Sequence, residues 1–114
     1  MKVFFPKFSR DQVINEIERC ARKLGESLCL CKVILFGSYA RGNHTVASDI
    51  DILVVFNGEK SSEEKVYKTL MKNMKLPRVE LHVLSRKEYE IARDSKWIKT
   101  VEEEGVKILD SSTP

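Results

Sequence analysis

The run from Ile50 to Phe56 limits the fold more than any other part of the chain. It is apolar and rich in β-branched residues except for Asp51, and Asn57-Gly58 follows it as a turn signal. A run of this kind is typical of a buried strand. We therefore expect residues 50–56 to form a central strand of a sheet.

The segments around this strand alternate between helical and extended patterns. A capping box of Ser9 and Gln12 predicts a helix whose apolar residues recur at helical spacing to Leu24, with Gly25 closing it. Further strands are predicted over residues 33–36, 79–84 and 106–109. Further helices are predicted from a capping box of Ser61 with Glu64, from one of Ser85 with Glu88, and from Ser95, with Gly105 as the residue after the last helix.

The predicted order is roughly α-β-α-β-α-β-α-β, without repeats or linkers. The expected fold class is therefore α/β: one small domain over residues 1–114, with helices packed against a mixed β-sheet and a frayed tail at residues 111–114. An apolar content of 42% is enough for one such domain with a modest core.

Composition excludes several classes of protein. No run approaches the roughly 18 apolar residues of a membrane span, and the start from Met1 to Pro6 is too short for a signal peptide, so we expect a cytoplasmic protein. A net charge of +3 does not indicate nucleic acid as a direct ligand. Cys20, Cys29 and Cys31 lack paired metal-site spacing and are interpreted as reduced thiols.

Gly37-Ser38 is a candidate phosphate-binding turn. It follows the apolar run 33–36 and opens a short helical turn, where backbone N–H groups and the helix dipole favour an anion. Glycine permits close approach of a phosphate, and the Ser38 hydroxyl can donate to it. A Gly-Ser turn on its own is common and carries little weight.

Asp49 and Asp51 are a candidate metal site. Two apart at the start of a strand, they project from one face while Ile50 and Ile52 point into the core. Two neighbouring carboxylates repel unless a cation compensates them, which points to Mg²⁺. An Asp-x-Asp at a strand edge is often only a solvated entrance to a sheet, but chance rarely joins it to a Gly-Ser turn.

The spacing of these two motifs resembles the DNA polymerase β-like nucleotidyltransferase superfamily. Its signature is Gly-Ser, ten residues and Asp-x-Asp, and residues 39–48 supply the ten here. The pattern from Leu35 to Gly42 and then from Ser48 to Val54 is similar to the small members called minimal nucleotidyltransferases. Residues 102–109, with Gly105, resemble the closing helix-Gly-strand of those proteins.

The resemblance implies a mechanism. Two Mg²⁺ ions would bind at Asp49 and Asp51, one holding the triphosphate of ATP and one activating an acceptor hydroxyl. Gly37 and Ser38 would hold the β- and γ-phosphates, and Arg41 would neutralise charge. For Arg41, a surface position on the short helix is an equal alternative.

The resemblance also implies a third carboxylate on the adjacent strand, normally Asp. The matching position here is Glu80, whose extra methylene moves the metal-binding oxygens. His82 shares a face with Glu80 and is a weaker candidate for contact with nucleotide or acceptor. His44, in the loop before Ser48, is weaker still.

These observations and the resemblance lead to three hypotheses about function. The leading one is an enzyme that transfers a nucleotide, most simply AMP from ATP, to a hydroxyl acceptor. The resemblance to minimal nucleotidyltransferases implies that the acceptor lies on a helical HEPN-type toxin and that the chain is the antitoxin of a toxin-antitoxin pair. The alternative is a non-catalytic protein that neutralises such a partner by binding alone. A nucleic-acid-binding module lacks support, because no basic stripe is present. Since the elements from Ser9 to Leu109 are all assigned to the catalytic layer, we expect another chain to bind the acceptor. The sequence does not determine the oligomeric state and is compatible with a homo-oligomer.

Overall fold

A computed structural model describes residues 8–110, so the expectations for Met1 to Pro6 and for the tail at residues 111–114 lie outside the described residues. Helices and strands follow one another along this part of the chain. The helices are α1 (Arg10–Leu24), α2 (Ser38–Arg41), α3 (Glu63–Asn73), α4 (Arg86–Ala92) and α5 (Lys96–Glu104), and the strands are β1 (Leu30–Phe36), β2 (Ile50–Phe56), β3 (Val79–Ser85) and β4 (Val106–Asp110).

The strands form a mixed sheet in the order β3-β2-β1-β4. β1 is antiparallel to both β2 and β4, whereas β2 and β3 run parallel. The sequence prediction of an α/β fold with a mixed sheet and a central strand at Ile50–Phe56 is therefore confirmed. The register places Asp51 between Phe36 on one neighbouring strand and Glu80 on the other.

Apolar side chains fill both faces of the sheet. Ile50 and Ile52 are fully buried on the face covered by α1 and α3. Leu53 and Val55 alternate with them and lie on the face covered by α4 and α5. Asp51 lies on the same face of β2 as Leu53 and Val55, so its carboxylate lies at the end of the face that α5 covers. No helix within residues 8–110 is long and apolar enough to cross a membrane.

The helix caps match most of the predicted signals. Ser9 with Gln12 and Ser85 with Glu88 form complete capping boxes, and the Ser95 side chain accepts from the Ile98 N–H. The predicted box of Ser61 with Glu64 is wrong. Ser62 caps α3 by accepting from the Lys65 N–H, so the helix begins one residue later, and Glu64 instead pairs with Lys68 one turn on.

The glycines predicted to close the first and last helices, Gly25 and Gly105, stand directly after α1 and α5. Gly25 follows α1 in a right-handed conformation, and helical turns continue until Cys29, whose φ of 56° ends them. Cys29 therefore precedes β1. Gly105 is extended, with φ −79° and ψ 160°; glycine is needed there because a Cβ would collide with the Ile34 side chain and the Val101 carbonyl. α4 and α5 are the two separate helices predicted from Ser85 and Ser95, and α2 is the short helical turn expected after Gly37.

Candidate active site

The Gly37 turn joins β1 to α2 against the Asp51 side chain. Gly37 has φ 79° and ψ −156°, a conformation that L residues with side chains rarely adopt. A Cβ at this position would collide with Oδ2 of Asp51. The absence of a side chain therefore lets the turn backbone lie directly on the carboxylate. Ser38 is half-buried at the start of α2, where first-turn N–H groups have no intrahelical acceptor.

Packing fixes α2 and the loop that follows it. Tyr39 is buried and stacks on the ring of His44, with ring centroids 3.9 Å apart and planes 13° from parallel. Nε2 of His44 lies 3.2 Å from the Phe8 carbonyl oxygen, and Nε of Arg10 donates to the Ala40 carbonyl at 3.2 Å. His44 thus packs between the loop and the start of α1, which gives it a structural role rather than a place among the acidic residues.

Side chains from two strands converge beside this turn. One ligand atom from each of Asp51, Glu80 and His82 lies within 4.8 Å of the others. Asp51 and Glu80 are register partners on the parallel pair β2 and β3, and His82 follows two residues later on the same face. Nε2 of His82 lies 3.7 Å from Oε1 of Glu80. We refer to these three residues as the acidic cluster.

The acidic cluster disfavours charge on Asp51. Burial raises the pKa of the Asp51 carboxyl above its ordinary value, and the charges of Glu80 and Asp49 raise it further against the opposing effects of His82 and Arg41. Glu80 acts more strongly on Asp51 than Asp49 does. The sequence led us to expect the main repulsion between Asp49 and Asp51. In the structure the stronger repulsion on Asp51 comes from Glu80, on the neighbouring strand β3.

This donor set fits a divalent cation. Two carboxylates that destabilise each other when charged would both gain from a bound ion, and their oxygens are the ligands that Mg²⁺ prefers. The imidazole of His82 is a softer ligand, more typical of Zn²⁺ or Ni²⁺ sites. Asp51 and Glu80 therefore fit Mg²⁺, with His82 as a neighbour that contacts Glu80.

Two of the predicted site residues lie at the margin of this arrangement. Asp49 precedes β2 and is exposed; it belongs to no three-residue ligand group within residues 8–110, although its charge reaches Asp51. Arg41 is exposed, and its Nη1 lies 3.3 Å from Oε1 of Glu104 at the end of α5. Their roles in binding metal and nucleotide remain predictions, as do those of Gly37, Ser38, Asp51 and Glu80.

The sequence did not point to two residues near the site. Glu104 is the ion-pair partner of Arg41, and Trp97 brings an aromatic ring from α5 to His82. Neither residue stands in a motif, because each reaches the site from a helix far along the chain. Trp97 does lie in the helix predicted from Ser95, but its orientation depends on how α5 packs on the sheet.

A Gly-Ser turn set against carboxylates of neighbouring strands, on a mixed sheet with helices on both faces, defines an α/β domain of nucleotidyltransferase type. The chain belongs to the nucleotidyltransferase domain family, whose pattern matches residues 5–108.

Relatives and a solved structure agree with this assignment. The "Putative protein adenylyltransferase MJ0604" of Methanocaldococcus jannaschii is 75% identical over 24 residues, 21% of this chain and 24% of that protein. The "Putative protein adenylyltransferase MJ1305" of the same organism is 46% identical over 46 residues, 40% of this chain and 30% of that protein. The matches thus span a minor part of each relative. The crystal structure of a "putative nucleotidyltransferase" from Sulfolobus solfataricus is 26% identical, with a TM-score of 0.54 over 86% of this chain and 80% of the other.

Proposed function

We propose that this chain is a Mg²⁺-dependent nucleotidyltransferase that moves AMP from ATP to a hydroxyl on a partner protein, as the antitoxin of a toxin-antitoxin pair. Membership of the nucleotidyltransferase domain family supports nucleotidyl transfer. The names of two relatives support a protein as acceptor. The pairing with a helical HEPN-type toxin rests on the resemblance of the Gly37-to-Asp51 segment to minimal nucleotidyltransferases.

The observation that carries the proposal is the contact between the Gly37 turn and Asp51. Because a Cβ at Gly37 would collide with the Asp51 carboxylate, a phosphate held by the turn would lie next to that carboxylate. Glu80 lies on the far side of Asp51, on β3. The order of groups across the sheet is therefore phosphate turn, Asp51 and Glu80, which suits a triphosphate at one side and an acceptor hydroxyl at the other.

The reaction would be an in-line displacement at the α-phosphorus. The acceptor oxygen forms a bond to the α-phosphorus, the bond to the bridging oxygen of pyrophosphate breaks, and the hydroxyl proton passes to solvent. Ser38 and the adjacent N–H groups would bind the departing β- and γ-phosphates. Asp49, Asp51 and Glu80 would hold Mg²⁺, which when bound neutralises phosphate charge and lowers the pKa of the hydroxyl.

Arg41 would add positive charge only by leaving its present partner. The ion pair with Glu104 is exposed on both sides, and such pairs are worth about 0–1 kcal/mol. A triphosphate next to Ser38 would compete well with one carboxylate for the guanidinium. Arg41 can therefore exchange Glu104 for phosphate at small cost.

Glu80→Gln tests the third carboxylate. We expect a loss of at least about a hundredfold in the rate of transfer, because the substitution removes charge from the metal site while its neutral amide keeps the shape. The measurement is initial rate against Mg²⁺ concentration. An unchanged rate and Mg²⁺ dependence would remove Glu80 from the site. The control is Glu103→Gln, which removes the charge of an exposed carboxylate on α5.

The overall test uses two labelled forms of ATP. The purified chain is incubated with Mg²⁺, a helical HEPN-type partner and ATP labelled at either the α- or the γ-phosphate. We expect the partner to gain label only from the α-position, since pyrophosphate carries the γ-phosphate away. Asp51→Asn should abolish labelling, whereas Asp110→Asn, an exposed residue at the end of β4, should not. Label from the γ-position would indicate a kinase instead.

The same experiment separates the binding-only alternative. A protein that neutralises its partner without chemistry would form a stable complex, give no labelled band and be indifferent to Asp51→Asn. Label on a free small molecule at an ordinary enzymatic rate would leave nucleotidyl transfer standing and exclude the antitoxin role.

A further inference from the structure

Three aromatic rings form a continuous surface beside the acidic cluster. Phe36 is the last residue of β1, His82 lies on β3 and Trp97 lies in the first turn of α5. Ring centroids are 5.4 Å apart for Phe36 and His82, 5.7 Å for Phe36 and Trp97, and 5.4 Å for His82 and Trp97. Each ring contacts the other two at a tilted or edge-on angle, which is the favoured geometry for aromatic groups. We call this group the aromatic surface.

The aromatic surface is continuous with the acidic cluster and open to solvent. His82 belongs to both, since its ring packs on Phe36 and Trp97 while Nε2 lies 3.7 Å from Glu80. Phe36 and His82 are half-buried, and Trp97 is 43% exposed. An indole that is packed on only one side leaves apolar area in water, and a second flat group could cover it.

We propose that the aromatic surface, with Trp97 as its exposed ring, stacks the base of the donor nucleotide. This inference rests on the proposed function. One ribose joins the base of a nucleoside triphosphate to its α-phosphate, and the α-phosphate must lie at the acidic cluster to react. The base is therefore confined to within a sugar's length of the carboxylates, which is where His82 places the aromatic surface. An acceptor side chain carries no such constraint.

The chemistry of the surface predicts its preferences. Stacking uses the flat face that every base has, so it discriminates little between bases of the same size. The surface should therefore bind purines more tightly than pyrimidines through greater overlap, with weak discrimination between adenine and guanine. Inorganic tripolyphosphate, which has no base, should gain nothing from it.

Trp97 allows a direct test, because it is the only tryptophan of the chain. Its fluorescence is followed while the wild-type protein is titrated with ATP in Mg²⁺ and, separately, with tripolyphosphate in Mg²⁺. We expect saturable quenching by ATP, little change with tripolyphosphate, and reversal of the ATP signal by excess tripolyphosphate. Equal quenching by both ligands, or ATP binding in calorimetry without any fluorescence change, would overturn the proposal.

Matched variants extend the test beyond fluorescence. Trp97→Leu should raise the dissociation constant for Mg-ATP about tenfold in calorimetry and leave that for tripolyphosphate unchanged, whereas Trp97→Phe should restore most of the affinity. Tyr67→Leu is the control, because Tyr67 is equally exposed at 43% but lies on α3, on the other side of the sheet. Circular dichroism confirms that each variant is folded. An unchanged Mg-ATP affinity in Trp97→Leu contradicts the proposal.

The outcomes also separate this inference from the proposed function. Binding of ATP and tripolyphosphate with equal affinity, with α-label still transferred, removes the stacking role and leaves nucleotidyl transfer intact. Failure of both ligands to bind, without label transfer, removes both. Quenching of Trp97 by the partner protein alone would assign the aromatic surface to the acceptor and overturn the base-stacking role.

Discussion

Asp51 is the residue at which the electrostatics of the site converge. It is half-buried, its pKa is raised by burial and then by the charge of Glu80, and the Gly37 turn lies on its carboxylate. In the absence of a cation, charge on Asp51 therefore costs folding free energy. Asp49 is exposed, so a charge on its carboxylate should cost less folding free energy.

Asp51→Asn should raise the melting temperature of the metal-free protein by a few degrees and abolish nucleotide transfer. The amide keeps the shape of the side chain and removes the disfavoured charge. Asp49→Asn should also abolish transfer but shift the melting temperature less. Thermal unfolding in a chelator and label transfer in Mg²⁺ are the two measurements. A larger stabilisation from Asp49→Asn would mean that Asp49, not Glu80, is the main source of repulsion.

Gly37→Ala should both destabilise the fold and disable the site. The left-handed φ strains any residue with a Cβ, at a cost of about 1–3 kcal/mol, and here the methyl would also displace the Asp51 carboxylate. Urea unfolding and label transfer give the two effects. The matched control is Gly42→Ala: its φ is 81°, yet a Cβ would meet no atom within 4 Å. Gly42→Ala should lose stability and keep activity; equal losses of activity in both variants would contradict the role of the Gly37–Asp51 contact.

At the scale of elements, the start of α3 offers a test of the cap assignment. Ser62→Ala should lower the free energy of unfolding by about 1 kcal/mol, since the hydroxyl oxygen that accepts from the Lys65 N–H is lost. Ser61→Ala should be neutral or stabilising, because the Ser61 hydroxyl is buried without a hydrogen-bond partner within residues 8–110. Urea unfolding of both variants ranks them. The reverse ranking would restore the capping box of Ser61 with Glu64.

At the scale of the whole molecule, two carboxylates join distant elements. Glu16 on α1 pairs with Arg19 and accepts from the Lys75 N–H beyond α3, at 2.7 Å in each case. Glu102 on α5 accepts from Lys32 on β1 at 2.9 Å, from Lys107 on β4 at 3.2 Å and from the Tyr89 hydroxyl on α4. Ion pairs and hydrogen bonds of these two carboxylates therefore connect helices and strands on both faces of the sheet, in addition to the contacts of the apolar core.

These carboxylates should make the protein sensitive to acid. The hydrogen bond from Arg19 holds the pKa of Glu16 at about 2, against an ordinary 4.5. Burial raises the pKa of Glu102, but hydrogen bonds from Tyr89, Lys32 and Lys107 outweigh it and hold that pKa at about 2 as well. Both folded-state values lie below the unfolded value, so the stabilisation is complete above about pH 4.5 and is lost between pH 4.5 and 2.

We expect the free energy of unfolding to fall by roughly 1–3 kcal/mol per carboxylate over that interval. Urea unfolding at a series of pH values measures the slope, and the double variant Glu16→Gln, Glu102→Gln should flatten it. Glu18→Gln with Glu103→Gln, two exposed carboxylates on the same helices, is the control pair and should leave the slope unchanged. A flat profile in the wild type would contradict the assignment of both carboxylates.

The sequence by itself determined the features that depend on neighbours in the chain. Ser9 and Ser85 cap helices with residues three positions on, and the Ile50–Phe56 run forms a central strand because its apolar pattern requires burial on both faces. The Gly37-Ser38 turn follows a buried strand for the same local reason. Where two adjacent residues could serve, as at Ser61 and Ser62, local pattern alone selected the wrong one, because the choice depends on how α3 packs.

Only the tertiary structure decided which distant groups meet. The parallel register of β2 and β3 brings Glu80 level with Asp51, the packing of α5 brings Trp97 to Phe36 and His82, and Glu104 reaches Arg41. The alternation of side chains along a strand is local and was visible in the sequence. Register and helix orientation are set by burying two faces of a sheet against elements far along the chain, so the neighbours of Asp51 become defined only when the whole fold forms.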